Sequence, residues 1–166
     1  MAEEKPELVP DEIILGEANY REALNLVIAS AESELLIFDE DLSKGDYASL
    51  KRFELIRDFL AKGSTTKLII ILHDTAYFTS RCPRLFALLQ TYGHLMSVYQ
   101  TTEQAKVAKD IFIIADQKHY LRRFHVDQAR FKYAFDDEKT ANMLNMRFDE
   151  LREWTGEAVS PTTLGL

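Results

Sequence analysis

Residues 110–133, DIFIIADQKHYLRRFHVDQARFKY, gather the side chains best suited to chemistry. Asp116 closes an apolar run, and His119, Arg122, Arg123, His125, Asp127 and Arg130 follow it. Imidazoles move protons or attack electrophiles, and guanidinium groups hold phosphate or carboxylate oxygens. On a strand, Arg123 and His125 fall on one face and Arg122 on the other. Arg123 and His125, with Arg130 from the next strand and Lys109 just upstream, therefore form a candidate cradle for a small anion. The same residue types also build internal ion pairs, with Asp127 or Asp116 set against Arg123. His119 and His125 stand six apart with no cysteine or close carboxylate pattern, which does not suit zinc.

A second set is acidic and follows two apolar runs. Asp39, Glu40 and Asp41 come after ELLIF, and His73 and Asp74 come after LIIIL. Asp39, Asp41 and Asp74 offer hard oxygen donors of the kind Mg²⁺ takes, so a Mg²⁺-dependent phosphohydrolase is an alternative function. The Asp-x-Asp pair in FDEDLS resembles the short motif of haloacid-dehalogenase-type phosphatases, but here it would follow a second strand. Acidic residues after strands also close Asx turns and cap helices without any metal. His73 and Asp74 are adjacent, and neighbours on an extended chain point in opposite directions, so they do not pair as base and orienting acid. His94, after Gly93, suits a helix terminus. Cys82 precedes Pro83, and no nearby base marks it as a nucleophile.

The elements that would position these groups follow from hydrophobic pattern. EIIL (12–15), ELLIF (34–38), KLIIILHD (67–74), MSVYQ (96–100) and DIFIIAD (110–116) read as strands, the longer apolar runs as strands buried on both faces. HYLRRF and RFKYAF alternate and lie close together, which predicts short antiparallel strands. Helical spacing appears at Tyr20, Leu24, Val27 and Ile28, with Asn19 as N-cap. A second helix shows Leu50, Phe53, Ile56 and Leu60 on one face and Gly63 at C′. A third runs over 83–93 from Pro83 at N1, and a last one places Leu144, Phe148 and Leu151 inward behind Asp136 or Asp137. The order predicts one α/β domain over residues 12–154, a mostly parallel mixed sheet sandwiched by helices. A loose arm (1–11) and a disordered tail (155–166) flank it.

The bulk numbers fit a soluble cytoplasmic domain. At 166 residues, 46% hydrophobic and 28% charged, the chain is long enough to build a core without staples. Its single cysteine forms no internal disulfide. The opening MAEEKPELVPDE is acidic and carries no apolar run, so neither leader nor transit peptide is expected. No apolar stretch approaches the roughly 20 residues that span a bilayer, so no membrane association is expected. A net charge of −7 works against nucleic-acid binding at long range. Yet residues 118–133 carry Lys118, Arg122, Arg123, Arg130 and Lys132 against Asp127, a net of +4. No cofactor is expected.

The start ELLIFDEDL, the strand ending in Asp116 and the terminal NMRFDELREW resemble one half of a phospholipase D-like domain, such as those of a bacterial group. The resemblance covers roughly residues 12–154. It implies chemistry from a His-x-Lys-x4-Asp motif, in which one histidine attacks phosphorus and the lysine holds phosphate oxygens. With the motif's Asp at Asp116, Lys109 stands at the His position and Ile111 at the Lys position. The resemblance thus implies a degenerate site, of which Asp116 is the remnant, and a domain that binds a small anion or protein partner without catalysis. It also implies a homodimer, because single-motif members pair to complete a site.

Overall fold

The computed structural model describes residues 8–162. In chain order it holds β1 (Ile14–Leu15), α1 (Glu17–Ser30), β2 (Glu34–Asp39), α2 (Leu50–Leu60), β3 (Lys67–Leu72), α3 (Ala76–Arg81) and α4 (Pro83–Thr91). There follow β4 (Met96–Thr101), a 3₁₀ turn (Glu103–Val107), β5 (Ile111–Ala115), β6 (His119–His125), β7 (Gln128–Ala134), α5 (Glu138–Glu153) and β8 (Thr155–Ala158). The eight strands form one sheet in the order β1-β7-β6-β5-β2-β3-β4-β8.

Helices cover both faces, as the continuous apolar strands require. Leu35, Ile37, Ile70, Val98, Ile113, Leu121 and Phe131 pack with α1, α2 and α4 on one side. Leu36, Phe38, Ile69, Ile71, Phe112 and Ile114 pack under α5 on the other. The expected α/β sandwich with a mixed sheet is what forms. Its parallel share is smaller than the sequence suggests: β2–β3 and β3–β4 are parallel, and the other five pairings are antiparallel. The connection from β4 to β5 stays at one end of the sheet, too short for a helical crossover, so β5 returns antiparallel beside β2.

Several boundaries shift for local reasons. Gly16, at φ 108, is the N-cap of α1 in place of Asn19, whose side-chain amide donates to the Leu15 carbonyl instead. The Gly16 N–H is held by the Ala129 carbonyl, so the chain turns from β1 straight into the helix. In α2 Ile56 and Leu60 are buried as expected, but Leu50 is exposed and Arg52 is buried, its guanidinium donating to the Gly45 and Arg21 carbonyls and to Asn25 Oδ1. Gly63 lies past the Ala61 cap with no left-handed φ, so it is not the C′ glycine. Asp137 caps α5 by accepting from the Thr140 N–H, as expected. Within the tail expected to be disordered, Thr155–Ala158 form β8, which pairs with β4, whose outer backbone edge would otherwise lie open; residues 163–166 lie outside the described residues. The arm expected over 1–11 lies mostly outside the described residues. Among the described residues no helix is long and apolar enough to cross a membrane.

Candidate functional site

The carboxyl end of β2 carries a buried polar cluster. Asp39 is fully buried; its Oδ1 accepts from the Asp41 and Leu42 N–H groups, and its Oδ2 has no partner. Burial pushes its carboxyl up to about 7, with Asp41's charge adding to the effect against the N–H donors. The β2–β5 register ends at Phe38 opposite Phe112, so the next pair sets Asp39 beside Ile111, and Ile111 is itself paired with Arg123 on β6. Asp39, Ile111 and Arg123 thus form one row across three strands, on the face that α1 covers.

Arg123 is spent inside this row. Its guanidinium is inaccessible to solvent, binds both carboxylate oxygens of Glu17 at 2.8 Å, and donates to the His125 and Val126 carbonyls. It also lies over the Tyr20 ring at 4.8 Å. Arg52 lies likewise over Tyr47 at 4.8 Å, and neither tyrosine hydroxyl has a hydrogen-bond partner. Hydrogen bonding to Arg123 holds the Glu17 carboxyl below its ordinary value. Above the cluster a cavity of about 330 Å³ is lined by Glu17, Arg21, Lys44, Gly45, Asp46 and Tyr77, among others. Its charges are mixed. Glu17, Tyr47 and Arg52 escape sequence reasoning; Tyr20 is marked by helical spacing, but that spacing gives no sign that it will be buried beside an acid.

The other anion-cradle candidates do not join Arg123. Lys109 is exposed at the start of β5, where its carbonyl accepts from the Val126 N–H. His125 is half-exposed and its Nδ1 accepts from the Asp127 N–H. Arg130 points to the opposite face, stacked over Phe124. Asp116 lies at the far end of β5, in the β5–β6 turn at φ 55. Its carboxylate accepts the Glu32, Ser33 and Glu34 N–H groups and the Ser33 hydroxyl. Although burial works in the opposite direction, these donors hold its carboxyl below the usual range. Asp116 therefore fastens the α1–β2 turn, a strand's length away from Lys109 and Arg123.

The acidic set does not converge either. Asp41 accepts from Ser43, Asp74 accepts from the Ala76 N–H, and Asp39 closes its own turn. Among the described residues no three His, Cys, Asp or Glu side chains are placed to hold a metal ion. Asp39, Asp41 and Asp74, the carboxylates named for Mg²⁺, act here as acceptors for turns and caps. His73, buried, bonds Thr101 Oγ1 and the Ala108 carbonyl, each at 2.7 Å. Burial, and then the charges of Lys106 and Lys109, lower its proton affinity. Burial also pushes the Cys82 thiol up to about 11, the opposite of a reactive thiolate.

On the α5 side, the sheet leaves a second concavity of about 300 Å³ lined by Ile13, Tyr120, Arg122, Phe124, Lys132 and Thr140. Arg122 and Lys132 are directly opposite each other on β6 and β7. The basic run seen in sequence is thus divided by strand alternation: Arg123 goes under α1, and Arg122, Arg130 and Lys132 go to this face.

The three-layer arrangement, with its mixed sheet and terminal helix, is a phospholipase D-like fold. Nuc from Salmonella typhimurium, a phospholipase D family member, superposes with a TM-score of 0.64 at 11% identity, over 90% of this chain and 99% of its own. NucT from Helicobacter pylori gives 0.58 at 15% identity, over 87% and 96%. TrmBL2, an archaeal chromatin protein described with a novel mode of DNA binding, gives 0.65 at 13% identity. That match covers 90% of this chain, which spans only 55% of TrmBL2. No curated protein matches in sequence. The chain belongs to the family described as Domain of unknown function (DUF7931), whose model matches residues 16–160.

Proposed function

We propose that this chain is a phospholipase D-like domain without phosphodiesterase chemistry, which works by binding a small anion or a partner. The row Asp39–Ile111–Arg123 carries the reading. Set on the family motif, Ile111 takes the place of the phosphate-holding lysine, and it is a buried aliphatic side chain. Two residues earlier, Lys109 takes the place of the histidine nucleophile, and an amine does not do the work of an imidazole there. The neighbouring guanidinium of Arg123 is already bound to Glu17 and to two carbonyls, so it has little left to offer a phosphate. Asp116 retains its position in the motif but serves the turn at residues 32–34.

The homodimer implied by the resemblance belongs to the same proposal and is checked by sedimentation equilibrium. The non-catalytic reading is tested with chromogenic phosphodiester and phosphomonoester substrates, each with and without Mg²⁺. Wild type, Lys109→Ala and Asp116→Asn are expected to give the same background rate. A wild-type rate that either substitution abolishes overturns the reading, and a Mg²⁺-dependent rate lost in Asp39→Asn would restore the phosphohydrolase alternative.

A further inference from the structure

The concavity on the α5 side has a charge arrangement that the fold alone does not explain. Arg122 and Lys132 are cross-strand partners, and like charges directly opposed on a sheet repel. Arg130 lies outside the lining, its guanidinium 5.4 Å from the Phe124 ring centroid, the same distance as that of Arg122. Among the described residues no acidic side chain lines the concavity. Two acids nearby, Asp110 and Asp137, are occupied elsewhere. Asp110 forms a two-pronged pair with Arg147 and takes only the Nε of Arg122, at 3.1 Å, leaving that guanidinium's terminal nitrogens. Asp137 spends its carboxylate on the Thr140 N–H and hydroxyl. Asp11, which acts on Tyr120 electrostatically, is not among the lining residues. Lys132 and Arg130 make no ion pair among the described residues.

Two cations on one floor, Arg122 and Lys132, are complementary to a doubly charged oxyanion. The remaining lining is apolar or aromatic: Ile13, Tyr120 and Phe124. Ile13 is 53% exposed, so its apolar surface is open to a ligand. We propose that this concavity binds a phosphate monoester carrying a planar apolar body, with the phosphate between Arg122 and Lys132 and the ring against Tyr120, Phe124 and Ile13. The inference rests on the reading of the domain as an anion-binding module and gives that module a place. The site lies on the opposite face of the sheet from Lys109, Ile111 and Arg123.

Calorimetric titration of the full chain with phenyl phosphate and with inorganic phosphate tests it. Phenyl phosphate is expected to bind about tenfold more tightly than phosphate, because only it reaches the apolar wall. Lys132→Gln, the exchange of a side chain without an ion pair among the described residues, is expected to weaken it about tenfold. Arg21→Gln, in the other cavity, should leave it unchanged. Absence of binding at millimolar ligand, binding indifferent to Lys132→Gln, or equal affinity for the two ligands overturns the proposal. So does tight binding of a single-stranded oligonucleotide without any of phenyl phosphate, which would mark an extended polyanion surface. Phosphodiester turnover would strike the non-catalytic reading alone and leave this titration standing, whereas a failed titration strikes this site and leaves the absence of turnover standing.

Discussion

Asp39 and Asp116 end neighbouring strands and are driven in opposite directions. Asp39 has one carboxylate oxygen without a partner in a sealed environment, and its carboxyl rises from 3.8 to about 7. Between those values the native state keeps a proton that the unfolded chain has lost, so this residue lowers stability progressively as pH rises through the window. Asp39→Asn keeps the Oδ1 acceptor and removes the charge. It is expected to match wild type near pH 4 and to gain roughly 1–4 kcal/mol over it by pH 8, read from urea unfolding at each pH. A variant less stable than wild type at pH 8 would show that the charge is needed by Arg123. Asp116 is the reverse case: its lowered carboxyl contributes stability above the unfolded value of 3.8 that is lost as pH falls through its folded value. Asp116→Ala removes the acceptor of three N–H groups and a side chain that tolerates φ 55, for an expected loss of about 2–3 kcal/mol at pH 7. Asp116→Asn should lose less, and equal losses would contradict the role of the left-handed turn. Sequence marks Asp116 through the spacing of a motif, but its partners at residues 32–34 are 82–84 positions away and leave no local signal.

The loop after β2 shows how one backbone position supports an element. Gly45 has φ +80, and a Cβ there would stand 2.6 Å from Leu24 Cδ1 and 3.1 Å from the Tyr47 ring. Its carbonyl also receives the buried guanidinium of Arg52, tying α2 to the loop. Gly45→Ala is therefore expected to cost about 2–3 kcal/mol in chemical denaturation, from the left-handed penalty together with overpacking. A change below about 0.5 kcal/mol would mean that Leu24 and the loop yield freely. The elements most legible in sequence are β2, β3 and β5, whose unbroken apolar runs announce burial on both faces. α3 and β8 were not legible. AYFTSR is too short for a helical period, and TGEA has no alternation; β8 exists because β4 offers an unpaired edge. Pairing direction was equally hidden, since the apolar pattern of β5 is the same whether it runs with β2 or against it.

For the molecule as a whole, alternation on β6 and β7 sorts one basic run into two functions. Arg123 is drawn inside to Glu17 and helps hold α1 on the sheet, while Arg122 and Lys132 line the concavity on the far face. A protein of net charge −7 thus keeps a local positive concavity suited to a small anion more than to a long polyanion. Neighbours with this fold include phospholipase D family members, and the fold by itself does not decide chemistry. The central claim is that the row holding Ile111 has lost the phosphodiesterase machinery. Phosphorus NMR of bis(4-nitrophenyl) phosphate incubated with the full chain at neutral pH tests it most directly. The account predicts a single, unchanging diester resonance, alike for wild type and Lys109→Ala. A monoester resonance that grows with wild type and is absent with Lys109→Ala would contradict it.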